Sequence, residues 1–131
     1  MVAVREYRDL IAWQKAYALA IKCQKLSRVL PSTEQFGLSA QLRGAAVSIP
    51  ANIAEGNGRR YRGDYIRHLR IAHGSLMELE THLQFARDLD YIPLEDAQSL
   101  LELSAEVGRI LGGLLKSLEA ISENGVRKRK G

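Results

Sequence analysis

Cysteine is almost absent from this sequence: Cys23 is the only one among 131 residues. A lone thiol excludes an internal disulfide framework and fits a reducing compartment. Aromatic residues make up only 6%, so a core must be assembled from Leu, Ile, Val and Ala, a palette that suits helix packing. No apolar run approaches the ~20 residues that a membrane-spanning helix needs. No segment alternates apolar and polar residues at the strand period. The start, MVAVREYRDL, lacks the apolar stretch of a secretory signal, and the expected location is the cytoplasm, away from any membrane. The length suits one domain.

The constellations of common enzymes are missing as well. Bundles that hold two metals use Glu-x-x-His pairs on facing helices. Here His68, His73 and His82 are spaced five and nine apart and none completes a Glu-x-x-His pair, while Glu78 and His82 share a helical face. That pair reads as a semi-buried polar contact. Cys23 stands among apolar residues with no histidine nearby in sequence, the setting of an inert core thiol. The glycine-rich GNGRRYRG lacks both the preceding strand and the Gly-Lys-Ser/Thr ending of a phosphate loop. No catalytic residue, metal or cofactor is therefore expected.

What the sequence does contain is helical periodicity. A first helix is expected from an Asp9 cap to just before Pro31, with Leu10, Trp13, Tyr17, Ala20, Ile21 and Gln24 at helical spacing. A second should run from about Gly37 to Glu55, with Leu38, Leu42, Ala45, Ala46, Ile49 and Ile53 as its apolar stripe. Pro50 sits inside it and should kink or break it. The third is the clearest: Tyr65, Leu69, Ala72, Leu76, Leu79, Leu83 and Ala86 alternate spacings of four and three. Asp64 or a residue just before it should cap its start, and Asp88, Asp90 and Pro93 should end it. The fourth begins after Pro93, with Leu100, Val107, Leu111, Leu114, Leu118 and Ile121 in its seam. Ser104 occupies the missing heptad position, and Gly108, Gly112 and Gly113 should allow close backbone approach. Gly125 should end it. The sum is an all-α, antiparallel up-down-up-down four-helix bundle over residues 1–124, followed by a disordered basic tail over 125–131.

Charge is sorted along the chain. The net charge is +4, and the tail alone supplies Arg127, Lys128, Arg129 and Lys130. Residues 5–30 and 59–70 carry an excess of bases, and residues 94–123 an excess of acids. Such asymmetry points to oriented association with a polyanion or with another copy of the chain. Arg8, Lys15 and Lys22 are seven apart and line one stripe, with Lys25 beside it. Arg59, Arg60 and Arg62 crowd the start of the third helix, where they oppose its dipole, and Arg67 and Arg70 follow on its exposed side. These nine are the candidate phosphate contacts; a solvated face with ion pairs to acids of the fourth helix is the competing reading. Tyr61 is the one aromatic placed to stack a base, which favours contact at the level of the nucleic-acid backbone. In SIPANIAEG, the residues Pro50, Asn52, Glu55 and Gly56 surround the helical irregularity, and their polar groups are expected to satisfy it.

Three stretches carry a family resemblance: YRDLIAWQKAYALA, FGLSAQLRGAAVSIPANIAEGNGRR and YIRHLRIAHGSLMELETHLQFARDLDYI. From about residue 6 to 120 the chain resembles the 23S ribosomal RNA intervening-sequence proteins, also called the S23 ribosomal protein family. It is similar in turn to the accessory variability determinant of diversity-generating retroelements, a homopentamer of four-helix protomers. The resemblance implies an all-α protomer, a homo-oligomer that would be a pentamer, and a binding role towards RNA or DNA without catalysis. By analogy alone it also implies a reverse transcriptase partner.

Overall fold

The computed structural model describes residues 6–121. Four helices follow in order: α1 (Ile11–Ser27), α2 (Leu38–Asn57), α3 (Arg62–Asp88) and α4 (Leu94–Lys130), with short 3-10 turns at Tyr7–Asp9 and Ser32–Glu34. There is no strand among the described residues. The stop expected at Gly125 and the basic tail over 125–131 lie outside the described residues.

Packing is cyclic. α1 lies against α2 and α4, and α3 lies against α2 and α4, with no close backbone approach across either diagonal among the described residues. Polar pairs show how the helices are set. Ser48 meets Ser75, Asn52 meets His68, and Asn57 meets Tyr65, climbing α2 while descending α3. Glu80 with Ser104 and Arg70 with Glu119 follow the same rule between α3 and α4. All-α architecture in four helices is therefore established, and short links join neighbours as a bundle of this kind requires.

The stripe expected on α1 is displaced. Its buried face is Ala12, Ala16, Leu19, Ala20, Cys23 and Leu26, whereas Tyr17 and Ile21 are exposed. The cause is size: alanines let α1 sit close to its neighbours, and the bulkier Trp13 and Leu10 pack from the flank. Asp9 does not cap α1. It belongs to the preceding turn, and Leu10 is the cap position. The Gln14 side chain latches that turn by donating to the Arg8 carbonyl at 2.8 Å. Cys23 is wholly buried, and burial pushes its thiol up to about 12 from an ordinary 9.0. We expect a native-state thiol assay with an aromatic disulfide to read no free thiol at neutral pH, and one per chain after unfolding. Because the folded state holds this proton more tightly, the associated stability is lost as pH rises from about 9 towards 12.

α2 runs unbroken through the buried Pro50, so of the kink or break expected there the break does not occur. On α3 the expected seam is buried at every position except Tyr65, which is half-buried. Tyr61, not Asp64, holds the cap position of α3. Its C-terminus closes in a Schellman motif: the Tyr91 N–H donates to the Ala86 carbonyl at 2.9 Å, and the Asp90 N–H to the Arg87 carbonyl at 3.0 Å. Asp90 takes the left-handed conformation this requires, at φ 60°. Ser104 is buried in the α4 seam because its hydroxyl donates to Glu80 Oε1 at 2.7 Å. Of Gly108, Gly112 and Gly113, only Gly108 faces a neighbour; Gly112 and Gly113 face open space and permit no close approach.

Candidate functional site

The contact between α2 and α3 sets the frame of the site. The Asn52 amide donates to the Ser48 carbonyl at 2.9 Å and lies 3.1 Å from the Ser48 hydroxyl. That turns its Oδ1 onto His68 Nδ1 at 3.1 Å, so Nδ1 carries the imidazole proton. The Ser48 and Ser75 hydroxyls are hydrogen-bonded to each other at 2.8 Å. His68 Nε2 is buried without a hydrogen-bond partner among the described residues. Glu55 Oε1 stands 4.0 Å from it and is held instead by Arg59 at 2.7 Å. One turn on, Gly56 lets the helices close: a Cβ there would lie 2.7 Å from His68 Cβ. Of the four residues singled out there, Asn52 and Gly56 tie α2 to α3, Glu55 holds Arg59 of the arginine-rich link, and Pro50 is buried within α2.

That link carries Arg59, Arg60 and Tyr61 between the two helices, and Arg62 opens α3. Arg60 lies over the Tyr61 ring, 5.6 Å from its centroid. Beneath them is a cavity of about 250 Å³ lined by Arg59, Arg60, Tyr61, Arg62, Tyr65 and, from α4, Leu118. Asn57 Nδ2 donates to the Tyr65 hydroxyl at 3.3 Å, which orients that ring. The turn that carries Arg8 packs against α2 as well as α1. Because Gln24 near the end of α1 donates to Arg43 near the start of α2, the start of α1 and the end of α2 share one end of the bundle. Arg8, Arg59, Arg60 and Arg62 therefore gather at that end. At the other end the Tyr91 hydroxyl donates to Glu34 at 3.0 Å, and that bond holds the Tyr91 phenol above its ordinary range. Asp88, Asp90, Glu95 and Asp96 lie near it. Arg28, Arg43 and Arg87 share that end, so both signs of charge are present there.

The nine candidate cations do not form one patch. Arg8 is paired with Glu6 at 2.8 Å, Lys15 with Glu106 at 3.1 Å and Arg70 with Glu119 at 2.7 Å. The last two are the ion pairs to α4 that the competing reading foresaw. Lys22 and Lys25 line a separate cavity of about 350 Å³ in the groove between α1 and α4, with Asp96 and Leu100. Arg60, Arg62 and Arg67 are exposed and have no ion pair among the described residues. Sequence reasoning missed two features: Tyr65 and Leu118 meeting below the link, and an aromatic ladder. In the ladder Tyr7 meets Trp13 edge-on at 5.3 Å and Trp13 stacks on Tyr17 at 4.8 Å. The four-residue step from Trp13 to Tyr17 was its only signal, and it was absorbed into the expected core stripe.

The histidines are divided. His68 and His82 are buried and His73 is exposed, with His82 Nε2 3.4 Å from Glu78 Oε1. Among the described residues no group of three or more His, Cys, Asp or Glu side chains could hold a metal, and no helix is long and apolar enough to cross a membrane.

With that geometry in place, the family model for the 23S rRNA-intervening sequence protein matches residues 8–113. The chain belongs to this family. The match ends a few residues short of the span that the resemblance covered, and it takes in all nine candidate cations. A similar solved structure is a protein of unknown function from the S23 ribosomal protein family of Bacteroides thetaiotaomicron VPI-5482. It is 28% identical, covers 81% of this chain and 96% of its own, and superposes with a TM-score of 0.76. No curated protein matches the chain.

Proposed function

We propose that this chain is a non-enzymatic accessory protein that binds RNA by neutralising phosphates at the basic end of its bundle. The observation that carries the reading is the set Arg60, Arg62 and Arg67: three exposed guanidiniums without a carboxylate partner among the described residues. Arg28 and Arg109 are also exposed without an ion pair among the described residues, but each stands apart from other unpaired arginines in sequence, whereas Arg8, Arg59 and Arg70 each hold an acid. Unpaired arginine forks suit phosphate oxygens. The family's name, which refers to an intervening sequence of 23S rRNA, agrees with an RNA ligand.

Affinity for an RNA oligonucleotide should fall steeply with salt, with a log–log slope of roughly −0.7 per phosphate contacted on a single strand. The double substitution Arg60→Ala/Arg62→Ala should make that slope shallower by about 1.5 and weaken binding at low salt. No binding at low salt, or an unchanged slope in the double variant, refutes the proposal.

A second reading is favoured by the sorting of charge between segments: a homo-oligomer in which the acid-rich α4 of one copy meets the basic groups of the next. Head-to-tail contacts of this kind close into rings when the rotation allows, and a pentamer is the state the resemblance suggests. Light scattering that finds a strict monomer at micromolar concentration removes it.

A further inference from the structure

The link between α2 and α3 offers more than phosphate contacts. Its cavity, about 250 Å³, is smaller than the roughly 300–1,000 Å³ of sites for drug-sized ligands. It has room for one ring system rather than a whole small molecule. Its lining is chemically divided. Tyr61, Tyr65 and Leu118 supply flat or apolar surface, and Arg59, Arg60 and Arg62 supply charge around it. Tyr61 is 65% exposed, so its ring is accessible to a ligand. Arg60 stands over that ring, 5.6 Å from its centroid, and the ring keeps most of its surface exposed. The Tyr65 hydroxyl accepts its bond from Asn57, which leaves its own proton free to be donated to a ligand. Aromatic surface next to unpaired guanidiniums is the chemistry of a nucleotide: a flat ring joined to a phosphate.

We propose that this cavity takes one unpaired nucleobase, so that the nucleic acid the protein prefers is single-stranded. The base stacks on Tyr61 above Tyr65 and Leu118, while Arg60 and Arg62 hold the flanking phosphates. A duplex keeps its bases stacked inside and can offer only phosphates to the same arginines. The inference rests on the phosphate-binding reading above and deepens it, because it names the form of nucleic acid that the same site selects.

The test compares a labelled, unstructured 12-nucleotide RNA with its blunt duplex by fluorescence anisotropy at one salt concentration, then across salt. The wild-type protein should bind the single strand more tightly. Tyr61→Ala should weaken single-strand binding about fivefold to a hundredfold, the range expected for one lost base-stacking contact. It should leave duplex binding and the salt slope unchanged, since no phosphate contact is removed. Tyr61→Phe should keep the preference. Leu118→Trp, which fills the cavity from α4, should lose it as Tyr61→Ala does, with the helical circular dichroism intact in each variant. Equal affinity for strand and duplex, or a Tyr61→Ala variant indistinguishable from wild type, overturns the base site. If Arg60→Ala/Arg62→Ala still weakens binding in that case, phosphate recognition stands by itself. If neither variant changes binding, both readings fail.

Discussion

Replacing Leu76 by alanine should cost about 2–5 kcal/mol of stability in urea unfolding followed by circular dichroism. Leu76 is fully buried in the middle of α3, so its truncation loses transfer energy and leaves a cavity that the surrounding helices fill only in part. The neighbour that matters is Gly108 on α4, where an added Cβ would stand 3.3 Å from Leu76 Cδ2. Gly108→Ala alone sets a gain in helix propensity of up to ~1 kcal/mol against that tight contact, and should come out near neutral. In the Leu76→Ala background the crowding atom is gone and the new methyl group fills part of the void. The double variant should therefore be more stable than the sum of the single changes by roughly 0.5 kcal/mol or more. A strictly additive cycle would show that α3 and α4 do not meet at this pair.

Gly56→Val should destabilise the protein by about 1–3 kcal/mol, although glycine is ordinarily a poor helix residue. Three atoms oppose any side chain there: His68 Cβ at 2.7 Å, Tyr65 Cδ1 at 3.1 Å and the Tyr65 carbonyl oxygen at 3.3 Å. Two of the three belong to parts that cannot swing away, so α2 and α3 must separate. The contrast is Gly44 on the same helix, which is exposed and has nothing within 4 Å of a built Cβ. Gly44→Ala should stabilise by about 0.4–1 kcal/mol. Two glycines on one helix then give opposite signs, which a propensity argument by itself does not produce. If both substitutions stabilise, α2 and α3 do not close at Gly56. Separation at this point also displaces Tyr65, so the Gly56 variant should bind nucleic acid less well even where it remains folded.

Periodicity carried most of the fold. The seam of α3 was legible residue by residue because its apolar positions are large and evenly spaced, from Leu69 through Leu76 to Leu83. α1 was less legible. Its core face is marked by alanines, which are buried because they are small, while the eye follows Trp13, Tyr17 and Ile21 round to the flank. The proline in α2 signalled a disturbance, yet the helix passes through it, with the Asn52 side chain bonded to a carbonyl in the same turn.

The candidate cations were visible as residues and not as a site. Sequence alone determined that the chain is helical, that its core is aliphatic and that bases and acids occupy different segments, because these properties depend on spacing and composition along one chain. Which arginines are free was decided by tertiary structure. Lys15 finds Glu106 and Arg70 finds Glu119 across helix contacts far apart in sequence. Arg60 and Arg62 find no carboxylate among the described residues; they share a cavity with Tyr65 of α3 and Leu118 of α4. A charge becomes available to a ligand only when the folded neighbours leave it unpaired, and that depends on the distances the packed helices impose.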